Sequence, residues 1–338
     1  MLIGRLAIKQ QSGENSWCDL RSNFFKQFWS ASRAPLLGPA VIVLIGVVFA
    51  SNFFSLGNIS NLSRQIGFLS LVALGQMTVL LVRGIDLSVG ALMTLAMVFV
   101  ARNSRETNVD VKLLVAGALC IGVIVGLINA YLVLRRNIPP FVATLAMYLL
   151  LNGVISIWTK GVPSGEVPKI LKQLGTTKLG VLPIPTVIGV ALALVMSILL
   201  SRTIFGSWIY ATGQNPEAAK IAGVPVKFTT TLAYVICSVC AVLGGLLLSG
   251  YIGYVDRYLG QEWELDSIAA AIVGGTAFAG GHGGAFRTLA GVVTIAGMSN
   301  VILLTGADRW LRFVSTGLVI VISMVLQSEK FRFAYRRS

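Results

Sequence analysis

The stretch from residue 201 to residue 227 reads SRTIFGSWIYATGQNPEAAKIAGVPVK and lies between two long apolar runs. Within it, Asn215 can cap a helix, because its side-chain oxygen can accept hydrogen bonds from backbone N–H groups of the first turn. Pro216 suits the first helical position, and Glu217 places a negative charge at the positive end of the helix dipole. Gly223 can adopt the left-handed conformation that ends a helix. The stretch therefore predicts a stiff helix of about two turns, roughly 10 Å long.

The outer residues of this predicted helix are small and include Ala218, Ala219 and Ala222. Small side chains would let another protein approach the helix backbone closely. The alternative is an ordinary loop helix that lies on a membrane surface. The spacing of these residues alone favours neither interpretation.

The composition indicates a membrane protein. Of the 338 residues, 55% are hydrophobic and 12% are charged, and the mean hydropathy is +0.81, whereas a soluble domain carries about 25% charged residues. The net charge of +14 does not indicate a nucleic-acid partner, because the sequence has no basic stripe with interleaved aromatic residues. Cys237 and Cys240 are spaced as C-x-x-C, but inside an apolar run we expect packing residues rather than a redox or metal pair.

Long apolar runs recur along the chain and predict an all-α polytopic membrane protein with about ten transmembrane helices. Their expected positions are 36–54, 66–82, 88–101, 112–134, 139–158, 182–200, 228–250, 266–281, 287–304 and 310–327. The third and eighth runs are short and rich in glycine, so we expect them to be broken or tilted. A transmembrane domain at 36–327 would then lie between an N-terminal segment at 1–35, either an interfacial helix or a disordered tail, and a C-terminal tail at 328–338.

The distribution of charge predicts an orientation. With the N-terminus inside, sixteen of the 27 Lys and Arg residues fall on inner segments, whereas eight of the 13 acidic residues fall on outer ones. Excess positive charge marks the cytoplasmic side. Both ends of the chain and the loop at 201–227 are therefore expected in the cytoplasm, and the loops at 159–181 and 251–265 on the outer side. The aromatic residues of 251–265 are either an interfacial belt or a docking rim.

A short internal repeat appears at an offset of 194 residues. Gly90-Ala91 and Thr94-Leu95-Ala96 recur as Gly284-Ala285 and Thr288-Leu289-Ala290. Five predicted spans separate the copies, so the two copies would have opposite orientations. Inverted repeats of this kind build transport pathways that open alternately to each side.

The first copy includes the sequence GIDLSVG, from Gly84 to Gly90. The glycines permit a tight reversal of the chain, and Asp86 can cap the helix that follows. We expect Asp86 to form a local ion pair with Arg83 near the inner interface; the alternative is a proton relay.

Few other polar residues lie deep in the predicted spans. The amides are Gln76, Asn129, Asn152 and Asn300, which either bond neighbouring helices or line a pathway for a neutral, polyhydroxylated solute. No span carries Asp, Glu or Lys near its middle, which argues against a carrier driven by protons or sodium. His282 lacks companions at metal-ligand spacing, and neither a phosphate-binding loop nor a nucleophile elbow occurs, so we expect neither a metal site nor an enzyme.

Three motifs together resemble the permease subunits of bacterial ABC importers for ribose and related monosaccharides. They are GIDLSVG at 84–90, GQNPEAA at 213–219, and the Gly-rich run from Val273 to Gly284. Their order and spacing match, and the resemblance covers about residues 36–327. Two departures are Arg287, where the family often has a small residue, and Lys220, an added positive charge.

The resemblance implies the permease fold seen in the vitamin B12 importer, in the bacterial cytoplasmic membrane. Two such chains, identical or not, would pair with two ATPase chains that bind ATP and magnesium, and a periplasmic or lipid-anchored protein would deliver the sugar. By this resemblance, Asn215, Pro216, Glu217, Ala218, Ala219 and Gly223 would couple to the ATPase. A structural or gating role would fall to Gly84, Asp86, Ser88, Gly90, Gly274, Gly275, Gly280 and Gly281. A sugar carrier or facilitator that works without an ATPase is the alternative.

Overall fold

A computed structural model describes residues 34–50, 52–106, 109–162 and 165–335. Within these residues the chain is mostly helical. The helices are α1 (Ala34–Phe49), α2 (Leu56–Leu81), α3 (Val89–Glu106), α4 (Val111–Arg135), α5 (Pro140–Thr159), α6 (Lys169–Thr176), α7 (Ile184–Arg202), α8 (Ile204–Gln214), α9 (Pro216–Ile221), α10 (Val226–Ile252), α11 (Trp263–Val273), α12 (Ala285–Leu304) and α13 (Arg309–Tyr335). The predicted N-terminal segment at 1–35 lies outside the described residues, apart from the start of α1.

Four two-residue strands form a small cap at one end of the helices. β1 (Gly165–Glu166) pairs antiparallel with β4 (Tyr254–Val255), and β2 (Lys178–Leu179) pairs antiparallel with β3 (Leu182–Pro183). Helix α6 packs closely on the end of α10: a side chain at Gly175 would meet the backbone of Gly250 and Tyr251. The segment at 165–183 is therefore fixed to the end of α10.

Six of the described helices are long and apolar enough to cross a membrane, and they fit a multi-pass membrane protein. They are α2, α4, α5, α7, α10 and α12, with 19 to 27 residues each. Shorter apolar helical stretches lie at Leu37–Phe49, Val89–Ser104 and Trp310–Val325. Each of the ten apolar runs in the sequence overlaps a helix.

The structure differs from the sequence-based boundaries at three places. Helix α2 begins at Leu56 rather than near residue 66. The eighth run, expected at 266–281, is helical only as far as Val273 and continues as a Gly-rich loop to Gly284, so it is broken as expected, whereas the third run, expected to be broken or tilted, is one continuous helix from Val89 to Glu106. The polar stretch 201–227 contains α8, which the sequence did not predict.

Helices α2 and α10 form the centre of the bundle. Of their most apolar 18-residue stretches, 83% and 67% of the residues are buried, whereas α4, α5 and α7 bury only 28 to 33% and expose side chains such as Leu113, Leu149 and Leu194. A helix that is apolar on all sides needs apolar surroundings on all sides. The exposed faces of the outer helices are therefore suited to contact with lipid.

Glycine lets α4 approach α10 closely. A Cβ atom built at Gly126 of α4 would lie 2.8 Å from Cα of Val235 and 3.0 Å from the carbonyl oxygen of Tyr234, both on α10. Small residues at helix crossings bring two backbones together in membrane proteins. This crossing therefore excludes any side chain larger than hydrogen.

We predict that Gly126→Ala lowers the melting temperature of the detergent-solubilised chain by several degrees. The added methyl group meets backbone atoms, so α4 must move away from α10, and such overpacking costs about 1–3 kcal/mol. Gly153→Ala on α5 is the control, because no atom lies within 4 Å of a Cβ atom at that position. Equal shifts in the two variants would contradict this packing.

Candidate coupling and transport site

The short helix α9 has the ends that its sequence predicts. Oδ1 of Asn215 accepts hydrogen bonds from the backbone N–H groups of Glu217 and Ala218, each at 3.1 Å. At the other end Gly223 has φ +83°, and the N–H of Val224 donates to the carbonyl of Ala219 at 2.9 Å. Both ends are closed by local hydrogen bonds, which makes this six-residue helix a stiff unit.

The surface of α9 differs from the expectation at one position. Ala218 and Ala222 are exposed, but Ala219 is buried, so the prediction of a small outer residue at 219 is wrong. Ala219 faces the protein because the turn of the helix brings it inward between its exposed neighbours. The most exposed apolar side chain of the helix is Ile221, with 88% of its surface accessible.

The segment just before α9 is held by Arg83. Its Nε donates to the carbonyl of Gly213 at 2.7 Å, and its Nη2 donates to the carbonyl of Gln214. These carbonyls end α8, where a positive charge is favourable. The predicted ion pair between Asp86 and Arg83 is therefore wrong, because Arg83 turns towards α8 while Asp86 is fully buried.

The Gly-rich loop after α11 contacts the same place. The N–H of Gly281 donates to the carbonyl of Leu81 at 2.9 Å. Gly281 has φ +72°, and a Cβ atom there would lie 2.8 Å from the backbone nitrogen of Gln214. Only glycine fits this combination of left-handed backbone and close approach.

Tyr210 of α8 adds a side-chain contact to this loop. Its hydroxyl donates to the carbonyl of Gly283 at 3.1 Å. Burial raises the pKa of Tyr210, and the nearby charge of Arg287 opposes that shift. The hydroxyl therefore stays protonated and keeps its role as donor at neutral pH.

These contacts bring residues of the second and third sequence motifs together with the residues that directly precede the first motif. The end of α2, the end of α8 and the Gly-rich loop meet, and we call this contact region, formed by Leu81–Arg83, Gly213–Gln214 and Gly280–Gly283, the motif junction. Helix α9 follows the motif junction directly in the chain. Helix α9 is therefore joined through the end of α8 to Arg83 and to the Gly-rich loop.

The segment Gly84–Ser88 leaves the motif junction as non-helical backbone buried in the protein. Oδ1 of Asp86 accepts from the N–H of Ser88 at 2.9 Å and from its hydroxyl at 2.6 Å. The amide nitrogen of Asn129, on α4, lies 3.0 Å from the hydroxyl of Ser88 and 3.4 Å from Oδ2 of Asp86. The side chain of Asp86 thus closes a turn with Ser88, the residue before α3, and bonds no backbone N–H group of α3 itself, so its role as a helix cap stays a prediction.

Two further helices hold the backbone of this segment. The side-chain amide of Gln76, in the orientation that satisfies both of its polar atoms, donates to the carbonyl of Asp86 and accepts from its N–H, each at 3.1 Å. The hydroxyl of Thr144, on α5, lies 3.2 Å from the carbonyl of Ile85. Polar side chains of neighbouring helices therefore replace the hydrogen bonds that a helix would have made here.

The four amides named as pathway candidates do not lie together. Gln76 and Asn129 bind the segment around Asp86, whereas Asn300 exchanges hydrogen bonds with Asn58 at 2.8 and 3.0 Å. Asn152 donates to the carbonyl of Tyr148 one turn earlier on its own helix. Asn300 thus joins two helices, Gln76 and Asn129 join their helices to a non-helical segment, and a pathway role for any of the four stays a prediction.

The remaining glycines of the motifs sit at close contacts. A side chain at Gly90 would meet Glu264 and the carbonyl of Gly260, and one at Gly274 would meet the backbone of Arg287. Gly275 has φ +89° and Gly280 has φ +83°. A larger residue at Gly90 would push α3 away from Gly260 and α11. A larger residue at Gly274 would push the end of α11 away from α12.

A cavity of about 620 Å³ lies at the far end of α10 from α9, between α2, α10, α11, α12 and α13. Helix α10 has 27 residues, so this cavity and the coupling loop are roughly 40 Å apart. Tyr251, Tyr258 and Trp263, which the sequence offered as a belt or a rim, line it. Sequence reasoning missed the lining residues Gln65, Ser299 and Arg312, because they come from three different helices.

Metal and redox chemistry have no visible site in the described part of the chain. No group of three or more His, Cys, Asp and Glu side chains there could hold a metal ion. Cys237 and Cys240 are buried free thiols, and they pack against Gly75 of α2.

The comparison with known proteins agrees with this arrangement. The family model described as the permease component of branched-chain amino acid transport systems matches residues 58–324. The chain belongs to this permease family. Its resemblance to permeases for ribose and related sugars is also confirmed, because the ribose import permease protein RbsC of Escherichia coli K12 is 30% identical over 91% of this chain and 97% of its own length.

Further relatives support the same grouping. RbsC of Bacillus subtilis 168 is 33% identical over 88% of this chain and 92% of its own length. The galactose/methyl galactoside import permease protein MglC of Haemophilus influenzae is 28% identical over 86% of this chain and 93% of its own length. No solved structure matches the chain significantly.

We predict that Arg83→Met increases hydrogen–deuterium exchange of the backbone amides at 215–221 by about fivefold. The variant removes two hydrogen bonds from the end of α8, and a net loss of about 1 kcal/mol produces a change of this size. Arg202→Met, on the exposed end of α7, is the control. Unchanged exchange at 215–221 in the Arg83 variant would show that α9 does not depend on the motif junction.

Proposed function

We propose that the chain is the permease subunit of an ATP-driven importer and translocates a monosaccharide or a similar small polyhydroxylated solute. The observation that carries this proposal is the motif junction, which joins an exposed stiff helix to two non-helical segments inside the bundle. The identity of the solute rests on the relatives, whose printed names are those of ribose and galactose import permeases.

The exposed helix α9 is the proposed contact with the ATPase. Its outer face carries Glu217, Ala218 and Ala222, with Lys220 and Ile221 at its end. Closure of an ATPase pair would move α9 as a rigid body, because its two ends are capped. Arg83 and the Gly-rich loop would then pass this motion to the segments around Asp86 and Gly281.

The proposed architecture has ten membrane segments in two inverted halves, as in the vitamin B12 importer type. In both copies of the repeat, a non-helical stretch precedes the helix that carries the matched residues: 82–88 before α3 and 274–284 before α12. Discontinuous helices at equivalent positions of two halves are typical of transport pathways. The two stretches touch where Gly281 bonds Leu81.

The proposed location is the bacterial cytoplasmic membrane, with both termini and the loop 201–227 in the cytoplasm. The bias of Lys and Arg towards those segments supports this orientation. Residues 1–35 and 328–338 would form the cytoplasmic ends of a permease domain at 36–327, although α13 continues as helix to Tyr335.

The proposed partners follow from the ABC importer assignment. A second permease chain, identical or not, would complete the pathway, and two ATPase chains would bind ATP and magnesium. A periplasmic or lipid-anchored binding protein would deliver the sugar to the face that carries β1, β4 and the cavity. No cofactor is assigned to this chain. The alternative is a carrier or facilitator that moves sugar without an ATPase.

We predict that Gly223→Val reduces ATP-driven uptake of D-ribose or D-galactose at least tenfold in proteoliposomes that contain the chain with its ATPase and binding protein. A β-branched residue is strained at φ +83°, so the end of α9 must rearrange. Membrane insertion and ATP hydrolysis should persist.

Gly180→Val is the matched control, because Gly180 also has a positive φ of +63° and open space around it, but lies in the turn between β2 and β3. L-Leucine is the control solute. Equal uptake by the two variants would reject α9 as the coupling element, and sugar movement by the chain alone would favour the carrier.

A further inference from the structure

The cavity at the outer end of α10 has the size and lining of a small-molecule site. We call it the aromatic cavity. Its volume of about 620 Å³ falls within the usual range for ligand sites, about 300–1,000 Å³. Its lining residues come from α2, α10, α11, α12 and α13 and from the loop before α11.

The lining combines flat apolar surface with hydrogen-bonding groups. The lining includes the aromatic residues Trp263 and Tyr258 and the amide and hydroxyl residues Gln65, Ser299 and Gln261. Sugars present the same combination, with C–H groups on a ring face and hydroxyl groups around its edge. Aromatic faces with a few convergent polar groups can hold both parts of such a molecule.

The charged wall of the aromatic cavity is fixed by ion pairs. Arg312 of α13 bonds the carboxylate of Asp266, one turn into α11, and its Nη1 lies 3.6 Å from the carboxylate of Glu262. These are the charged residues of the lining, two acidic and one basic. The excess of one acidic residue disfavours an anionic solute in the cavity, because like charges repel at short range.

We propose that the aromatic cavity binds one neutral monosaccharide, with a ring face on Trp263 and hydroxyl groups hydrogen-bonded to Gln65 and to the pair of Asp266 and Arg312. This proposal rests on the proposed sugar transport and gives it an entry site within a single chain. The site lies at the end of α10 opposite α9, so solute would occupy it before the motif junction responds.

The test is direct binding of radiolabelled D-ribose, D-xylose and D-galactose, each used singly, to the full-length chain in lipid nanodiscs without any partner. At least one of these sugars should bind saturably to the parent chain. Trp263→Leu keeps apolar bulk but removes the flat ring, and Gln65→Met keeps the length but removes the amide. Each should weaken binding about tenfold.

Trp310→Leu is the matched control, because Trp310 is exposed near Arg312 but does not line the aromatic cavity. It should bind sugar as the parent does, and D-galacturonate should not compete. The melting temperature of each variant checks folding; if Trp263→Leu fails to fold, Gln65→Met decides.

Absence of saturable binding to the parent chain, or equal affinity in Gln65→Met, would overturn the site. ATP-driven uptake by the assembled importer, measured in parallel, separates the two proposals. Uptake without binding to the isolated chain rejects the aromatic cavity and leaves the proposed function. Binding without uptake rejects the ATP-driven function and leaves the site.

Discussion

Two non-helical backbone stretches, 82–88 and 274–284, meet at the end of α8, and the polar groups of their buried parts need partners inside the protein. A helix satisfies its own N–H and carbonyl groups, whereas extended and turned backbone does not. The side chains of Gln76, Asn129 and Thr144 supply partners for the first stretch. The bond from Gly281 to the carbonyl of Leu81 joins the second stretch to the end of α2.

This constraint links the interior of the protein to its proposed cytoplasmic surface. Both stretches contact the end of α8, and α9 follows α8 directly in the chain. Arg83 strengthens this link, because its guanidinium donates hydrogen bonds to the carbonyls of the two residues that precede Asn215. A chain that changes conformation in response to a partner needs such a connection between the surface and the bistable interior. The aromatic cavity lies at the other end of the same central helix, α10.

The local parts of this arrangement could be predicted from sequence. The ends of α9 follow from Asn215, Pro216 and Gly223, because caps and turns are decided by neighbouring residues. The apolar runs located the long helices, because the length and hydropathy of a membrane span are also properties of one continuous stretch of sequence. Helix α8 was missed because its apolar residues alternate with Gly206, Ser207 and Thr212, which look like loop residues.

The non-local parts could not be predicted in this way. The sequence placed Arg83 beside Asp86 because they are close in the chain, but the partner of Arg83 is 130 residues away. The apolar run at 266–281 hid the end of α11, since Ala277 and Phe278 continue the hydrophobic pattern beyond Val273. The aromatic cavity draws residues from five helices, so no single stretch of sequence indicates it.

In the proposed mechanism α9 and the Gly-rich loop move as one unit, while the opposite end of the bundle moves relative to them. The most direct measurement is the distance between spin labels at Lys220 and Ala279, both exposed, in the assembled importer with and without bound ATP. A second label pair at Lys220 and Gly180 reports movement across the membrane. The account predicts an unchanged distance for the first pair and a changed distance for the second. A first-pair distance that changes with ATP would contradict it.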